Sequence, residues 1–340
     1  MKKICMLLCT FLCVGCSRGS NVRELNVLNW SSYIPSDVII DFENETGINV
    51  NYMTYSSNEE LLAKISVAKS GTYDLIFPSD YMVEIMINRG LITKIDKSRL
   101  SNLSNLDLEY MNMEYDPGNL YTLPFIATST VISVNRDVIS DDIKSYNDLL
   151  NPKYKDEIVL IDDQRIIIGM ALLANGFDMN STDEVELRVA KNWLIKLRDN
   201  VKAYDSDSPK NFLISEEASL AVLWNAEGAL ASMEKNSIEN IIPIEGVALS
   251  TDNFAIPVDS KNTDELYEFI DYILRPKVMA RIIEAYPYKS INIGSYDYLG
   301  DDYINNNASN FSSDVIETGH FVKNIGKDIS KYDKVWAMIK

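Results

Sequence analysis

The first hundred residues alternate between strand-like and helix-like patterns, and this alternation limits the folds that the chain can adopt. Strands are predicted at 25–29, 48–55 and 73–77, where apolar residues alternate with polar ones or run together. Each strand is followed by a helix pattern, and Gly47 and Gly71 stand where the first two helices should end. Three successive strand–helix units require parallel strands joined by right-handed crossovers. The sequence therefore predicts an α/β fold with parallel-rich sheets flanked by helices.

Polar and aromatic residues follow each of these three strands. The three groups are Trp30-Ser31-Ser32-Tyr33, Tyr55-Ser56-Ser57 and Pro78-Ser79-Asp80-Tyr81. In open parallel sheets, ligands bind beyond the carboxyl ends of the strands. We therefore expect the three groups to meet at one edge of the sheet and to form a binding rim.

The second half of the chain repeats this organisation. Strands are predicted at 131–135, 157–161, 220–223 and 254–258, and helices at 184–197, 264–274 and 277–285. A spacing of four within helix 184–197 predicts a buried face made of Val185, Val189, Trp193 and Leu197. The chain beyond residue 15 has 325 residues, more than the roughly 250–300 at which single cores stop growing. Two lobes are therefore expected.

The N-terminus has the pattern of an export signal. Two lysines precede an apolar run over 4–14 that is too short to span a bilayer, and Gly15 and Cys16 follow. This pattern predicts a lipoprotein signal over 1–16 that ends at a lipidated Cys16, and hence a periplasmic protein anchored to a membrane by its lipid. Because Cys13 occupies a position where an aliphatic residue is usual, an ordinary secretory signal is the alternative. All four cysteines lie in this segment, so no disulfide is expected in the mature protein.

Charge and composition argue against several classes of function. The net charge of −18 disfavours nucleic acid as a partner. It favours cationic ligands, although acidic surfaces also serve solubility alone. His320 is the only histidine, so neither a zinc cluster nor cysteine–histidine catalysis is expected. Since phosphate-binding glycine motifs are also missing from the sequence, we expect no cofactor, no metal and no enzymatic activity.

A series of short segments extends in a consistent order from Leu25 to the C-terminus. They include NWSSYIP at 29–35, FENETGI at 42–48, YTLPF at 121–125, DLLNPKYK at 148–155 and LRP at 274–276. In order and spacing, these segments resemble the spermidine/putrescine-binding proteins of ABC polyamine uptake systems, which are periplasmic solute-binding proteins. No single segment is diagnostic, and the resemblance rests on the series as a whole.

The resemblance implies a two-lobed periplasmic-binding-protein fold with the ligand in a cleft between the lobes. Lobe one would comprise 24–128 and 253–292, and lobe two 129–252 and 293–340. The crossings between them would form a hinge that closes on the ligand. The implied function is extracytoplasmic capture of a polyamine, putrescine or spermidine, and its delivery by a monomeric protein to an ABC permease in the inner membrane.

A polyamine is a flexible methylene chain with ammonium groups, so its site needs carboxylates for the charges and aromatic faces for the chain. The positions that match the family's pocket are Trp30, Ser31, Tyr33, Ser79, Tyr81, Asp163, Ser206, Trp224, Asp252 and Tyr286. We expect Asp163 and Asp252 to hold ammonium groups and the rings to form the walls. Without the resemblance, Trp224 could equally be a core residue, Asp163 a helix cap and Asp252 a turn residue.

Four positions depart from the family's contact residues, and they are Ser32, Ile166, Ser250 and Val322. In the same order, the family carries an acid, a second carboxylate, an indole and an amide at these positions. Because these contact groups are missing, the identity of the polyamine stays open. Glu227 follows Trp224 by three residues, where putrescine-preferring members carry a carboxylate, and we expect it to line the pocket. The alternative for Glu227 is a solvated position in the first turn of a helix. Asp80 is a second acid that could compensate.

Three other functions are compatible with the sequence. The same fold could bind another small solute, such as a sugar, thiamine or a ferric ion, the last through tyrosine oxygens. Asp163, Glu227 and Asp252 could in principle supply the carboxylate pair of an exported glycosidase, which needs separations of roughly 5.5 or 6.5–9.5 Å. A surface adhesin would have no measurable affinity for small molecules.

Overall fold

The computed structural model describes residues 23–340, so the predicted signal over 1–16 and Cys16 lie outside the described residues. Residues 23–340 form strands β1 (Arg23–Trp30), β2 (Ile48–Tyr55), β3 (Leu75–Ile76), β4 (Ile92–Thr93), β5 (Thr122–Asn135), β6 (Ile158–Leu160), β7 (Val201–Tyr204), β8 (Leu220–Trp224), β9 (Ile238–Ile241), β10 (Ala248–Pro257), β11 (Lys289–Ser290) and β12 (His320–Phe321). Their α-helices are α1 (Ser36–Thr46), α2 (Asn58–Val67), α3 (Asp80–Asn88), α4 (Gln164–Leu173), α5 (Glu184–Leu197), α6 (Lys210–Ile214), α7 (Asn225–Glu234), α8 (Thr263–Ile273), α9 (Pro276–Ala285), α10 (Asp301–Ile304), α11 (Ser313–Thr318) and α12 (Ile329–Ile339). Within 23–340, no helix combines the length and the apolar character needed to cross a membrane.

The predicted parallel pairing is confirmed in the first part of the sheet. β1 lies between β2 and β3 and runs parallel to both. The strand order continues through β10 to β5, and β10 is antiparallel to both of its neighbours. α1 ends at Gly47, as predicted, where a φ of +70° lets its N–H reach the carbonyl of Glu43.

One long strand connects the two parts of the sheet. From Thr122 to Ser129, β5 pairs with β10, and from Thr130 onward it pairs with β8 and β9. All fourteen residues of β5 are buried. The prediction of a strand at 131–135 therefore found only the second section. We call β1–β4, β10–β12 and the first section of β5 the first sheet half, and the remaining strands the second sheet half.

Separate apolar cores support the two sheet halves. In the first, the rings of Phe42 and Phe269 meet edge to face with their centroids 5.0 Å apart. In the second, α4, α5 and α12 pack against β6 and β8. The predicted face of α5 is partly wrong, because Val185 is 54% exposed while Leu187 and Ala190 are buried. A strict spacing of four drifts around a helix of 3.6 residues per turn, so the buried stripe follows mixed steps of three and four.

Candidate functional site in the cleft between the sheet halves

A cavity of about 340 Å³ lies where the carboxyl ends of strands from both sheet halves face each other. This volume suits a small solute. Nine of the eleven predicted site residues line it, namely Trp30, Ser31, Tyr33, Ser79, Tyr81, Asp163, Ser206, Trp224 and Asp252. The three strand-end groups of the first sheet half therefore meet at one edge, as expected from parallel pairing.

Asp252 is the most deeply buried carboxylate of the cavity, with 2% of its surface exposed. It lies inside β10 where the pairing register with β5 shifts, and not in a turn. Such an irregularity re-aims the side chain relative to a regular ladder. One carboxylate oxygen accepts a hydrogen bond from the Tyr33 hydroxyl and the other from the Ser79 hydroxyl, each at 2.6 Å. These two bonds fix the orientation of the carboxylate at the cavity wall.

Burial has the largest effect on the pKa of Asp252. It raises the pKa of this carboxyl to about 6, although the bonds from Ser79 and Tyr33 act in the opposite direction. A buried carboxylate with no cation beside it is costly, and a bound ammonium would favour its ionised form. The group is therefore poised to exchange a proton for a cationic ligand.

Asp163 lines the opposite side of the cavity and also caps α4. Its carboxylate accepts the backbone N–H groups of Arg165 and Ile166 at 2.8 and 3.1 Å. Burial and, to a smaller extent, the nearby charge of Glu59 raise its pKa to about 6. Asp163 thus caps α4, as the alternative predicted, and its carboxylate also borders the cavity.

Aromatic rings form the walls around these acids. The Trp30 ring lies 4.6 Å from Tyr55 and 6.1 Å from Tyr33, and its indole N–H donates to the carbonyl of Phe77. Tyr33 in turn contacts Tyr288 at 4.9 Å between ring centroids. These contacts hold the rings of the first sheet half in place before any ligand enters.

Trp224 and Tyr81 provide aromatic surface near the boundary between the two halves. Both rings pack against apolar residues from each half. Trp224 precedes α7 at the end of β8, and Tyr81 lies in the first turn of α3, where its hydroxyl donates to Glu59 at 3.1 Å. The alternative that Trp224 is purely a core residue is wrong, since its half-buried side chain also lines the cavity.

Two predicted residues, Glu227 and Tyr286, do not line the cavity. Glu227 lies in the first turn of α7 and is half-buried, with one carboxylate oxygen enclosed and unpaired. Burial raises its pKa and the charge of Lys210 opposes this, so the solvated alternative is not observed either. Burial and the charge of Glu227 both raise the pKa of Tyr288, a lining residue, so the Glu227 carboxylate lies near the cavity wall without being part of the lining.

Tyr286 ends α9 and packs against the core of the first sheet half. The chain then turns tightly, and the N–H of Tyr288 donates to the carbonyl of Tyr286 at 2.7 Å. This turn separates the two rings, and Tyr288 lines the cavity instead. Because both tyrosines flank the same proline, sequence alone gave no reason to prefer Tyr288.

Several lining residues were not predicted from the sequence. Those with charged or aromatic side chains are Glu59, Asp162, Arg165, Asp207, Tyr288 and Trp336. The cavity thus has five carboxylates, from Glu59, Asp162, Asp163, Asp207 and Asp252, against the single guanidinium of Arg165. Arg165 is 4% exposed and donates to Asn180 and to the carbonyl of Lys323 at 3.0 and 2.9 Å. Asp162 could have been found as a strand-end residue, whereas Trp336, on the last helix, carries no local signal.

Comparison with known proteins identifies the family. The model of the bacterial extracellular solute-binding proteins matches residues 37–310. The chain belongs to this family. It is 36% identical to the spermidine/putrescine-binding periplasmic protein of Escherichia coli, over 96% of this chain and 94% of that protein.

Solved structures support the same assignment. A structure from Listeria monocytogenes, assigned to a spermidine/putrescine ABC transporter, aligns with a TM-score of 0.89 and 30% identity over 93% of this chain and 98% of that chain. A lipoprotein of Treponema pallidum aligns with a TM-score of 0.83 and 25% identity over 93% of this chain and 99% of that chain. The predicted family and the predicted α/β fold of the periplasmic binding proteins are therefore confirmed.

The positions that depart from the family's pattern lie mostly at the cavity of this binding protein. Ile166, Ser250 and Val322 all line it and are nearly enclosed, at 4%, 7% and 5% exposure. Ser32 does not line it, and its backbone adopts a φ of +56°. Three lining positions thus carry apolar or small side chains where related proteins are expected to contact their ligand.

Asp80 lies behind the cavity wall and not in the lining. It is 3% exposed and accepts hydrogen bonds from the Ser250 hydroxyl and the N–H of Thr251 at 3.0 and 3.2 Å. Burial raises its pKa to about 7, and the neighbouring charge of Asp252 contributes. Asp80 therefore braces the segment that carries Asp252 and does not replace a missing contact acid.

Proposed function

We propose that this protein captures a polyamine outside the cytoplasm and delivers it to an ABC permease. The observation that carries the proposal is the cavity lining, in which five carboxylates and six aromatic rings surround a space of about 340 Å³. The polyamine specificity named for the Escherichia coli relative agrees with this chemistry. Binding without catalysis is the expected activity.

The lining matches a slender dication in charge and in shape. Asp252 and Asp163 provide charged acceptors from the two sheet halves, and each charge-assisted hydrogen bond contributes about 1.5–3 kcal/mol. The indole rings of Trp30 and Trp224 can cover methylene groups and attract the ammonium groups, at about 0.5–2 kcal/mol each. Two ion pairs and two rings therefore suffice for roughly −8 kcal/mol, which corresponds to micromolar affinity.

Other solutes fit the cleft less well. Ferric ion would require tyrosine oxygens as phenolates, yet burial raises the pKa of both Tyr33 and Tyr81 well above the usual range. Their hydroxyls are also engaged with Asp252 and Glu59. A neutral sugar would leave uncompensated the excess of the five acids over the guanidinium of Arg165 and the ammonium of Lys340.

Titration calorimetry of the purified protein tests the proposal. We expect heat on addition of putrescine or spermidine at pH 8, and none with glucose, thiamine or ferric citrate. Heat from one of these three controls alone would refute the polyamine assignment. Release of reducing sugar from oligosaccharides would contradict the proposal that the protein acts without catalysis.

Two lobes that close on the ligand would provide the capture step. The proposed lobes comprise 24–128 with 253–292, and 129–252 with 293–340, so Asp252 stands at a crossing between them, where it pairs with Ile126 of the first sheet half. The passage of β5 between the sheet halves at Ser129 and Thr130 supports a hinge close to residue 128. Small-angle scattering should give a smaller radius of gyration with putrescine than without it, and an unchanged radius would contradict closure.

A lipid on Cys16 would keep the monomeric protein at the periplasmic surface of the membrane that holds the permease. The proposal is supported by the apolar run over 4–14 followed by Gly15 and Cys16, and by the lipoprotein from Treponema pallidum with the same fold. Full-length protein should partition into the detergent phase of a Triton X-114 extract, and Cys16→Ser should shift it to the aqueous phase. Equal partitioning of the two proteins would exclude the lipid anchor.

A further inference from the structure

The ammonium of Lys340 lies in an acid–aromatic box at the edge of the cleft. It forms an ion pair with Asp162 and lies 5.1 Å from the ring centroids of both Tyr204 and Trp336. These two rings meet nearly at right angles, with their centroids 5.5 Å apart. We call Asp162, Tyr204 and Trp336 the rim box.

The rim box is continuous with the ligand cavity. Asp162 and Trp336 both line the cavity, and Asp162 directly precedes Asp163, so their Cα atoms are about 3.8 Å apart. The backbone N–H of Asp162 donates to the hydroxyl of Ser206, a further lining residue. A cation held in the box would therefore border the same cavity as a cation held by Asp163.

The chemistry of the box is that of an ammonium site. One carboxylate and two electron-rich ring faces are the groups that bind an alkylammonium ion in water. The side chain of Lys340 is itself a four-carbon stem that ends in an ammonium, and this is the chemistry of the aminobutyl end of spermidine. The chain's own lysine thus occupies the box as an alkylamine would.

Another amine can take the place of Lys340 in the rim box. The side chains of Lys340 and Asp162 are 36% and 41% exposed, and ion pairs with this degree of exposure contribute little to stability. Replacing one ammonium by another preserves the ion pair and both ring contacts. A soluble amine that displaces Lys340 therefore re-forms these contacts, and the cost is the exposed ion pair and the ring contacts that Lys340 gives up.

We propose that the rim box is a second ammonium subsite, which takes the distal ammonium of a triamine, and that Lys340 is a tethered competitor for it. The proposal rests on the polyamine function proposed above. A diamine that spans only the inner acids does not reach the box. Lys340 therefore lowers the affinity for triamines and leaves the affinity for diamines nearly unchanged, which makes it a specificity-determining residue.

Calorimetry with two amines on three proteins tests this subsite. Lys340→Gln should bind spermidine at least about fivefold more tightly than the parent protein, which corresponds to about 1 kcal/mol. Its affinity for putrescine should change by less than about twofold. Lys334→Gln removes the same charge from an exposed position of α12, and it should leave the ratio of the two affinities at the parent value.

Three results would overturn the proposal. An equal gain for both amines would mean that Lys340 acts only through net charge, and no gain would mean that its ion pair serves only to hold α12. The gain for spermidine should also disappear in Lys340→Gln combined with Trp336→Leu, and its persistence would exclude the box as the site. If the parent protein binds neither amine, the polyamine function fails and the subsite with it, whereas binding of putrescine without the predicted ratio refutes the subsite alone.

Discussion

Replacing Asp252 by asparagine removes one charge from the cavity and keeps the shape of the side chain. In the parent protein the buried carboxylate accepts hydroxyl hydrogen bonds from Tyr33 and Ser79. The asparagine oxygen can keep one of these, and the other hydroxyl can rotate to accept from the amide. The variant should therefore fold, while a bound ammonium loses its charged partner.

The expected loss of affinity follows from this missing charge. A charge-assisted hydrogen bond contributes about 1.5–3 kcal/mol, so Asp252→Asn should bind putrescine about 10- to 150-fold more weakly at pH 8. The pH dependence should change as well. With a pKa of about 6, only about a tenth of the Asp252 carboxyl is ionised at pH 5, which lowers the parent's affinity about tenfold in addition to the decrease caused by Asp163, whose pKa is also about 6. The variant should lack the part of the decrease that Asp252 causes and keep the part that Asp163 causes.

The pH dependence of the protein's stability should have the opposite sign to that of its affinity for putrescine. Because the pKa of Asp252 is raised on folding, the folded protein holds this proton more tightly than the unfolded chain does. Its stabilising contribution is therefore complete below about pH 4 and is lost as the pH rises through 6, by about 3 kcal/mol in total. Asp252→Asn should remove this part of the pH dependence of the unfolding free energy.

Titration calorimetry at pH 5 and pH 8, with urea denaturation at the same two values, measures all three effects. Asp297→Asn is a matched control, since Asp297 is exposed and does not line the cavity. The reasoning is refuted if Asp252→Asn binds putrescine like the parent at pH 8. It is also refuted if the variant loses as much affinity between pH 8 and pH 5 as the parent protein does.

Three further substitutions test the remaining parts of the site. Trp224→Leu should weaken putrescine binding about 2- to 30-fold by calorimetry, because it removes a cation–π partner, and unchanged affinity would contradict this. Ile166→Glu adds a carboxylate to the lining and should raise the affinity for spermidine at least about tenfold in calorimetry. Asp297→Glu is the control variant. A loss of affinity in Ile166→Glu would contradict this prediction. Asp80 has a pKa of about 7, so Asp80→Asn should reduce the fall in unfolding free energy between pH 4 and pH 8 by roughly 4 kcal/mol, measured in urea. An unaltered fall would show that Asp80 does not titrate in this range.

Local sequence patterns were sufficient to predict β1, β2 and β3 but not the full length of β5, which connects the two halves. β2 was predicted to the residue, because its alternation is complete and Gly47 precedes it. β5 was found only from residue 131, since its first section contains Pro124 and several hydroxyl side chains. These residues are buried by strands from distant parts of the chain, which a local pattern does not report.

The site was predictable where topology alone positions a side chain. Residues that follow parallel strands must meet at one edge, and this placed Trp30, Ser79 and Asp163 correctly. Tyr286 and Tyr288 exchanged roles because a single tight turn decides which ring faces the cavity. Trp336 was missed because its position depends on how α12 packs against the second sheet half.

The uninterrupted course of β5 has a mechanical consequence. Since the strand stays paired on both sides of Ser129 and Thr130, a rotation of one half against the other must twist a few consecutive peptide units of β5 as well as the other crossings. A hydrogen-bonded ribbon resists sideways bending and allows twist about its own length. We therefore expect opening of small amplitude about an axis close to this strand, so that the stiffness of β5 contributes to the rate at which cargo escapes.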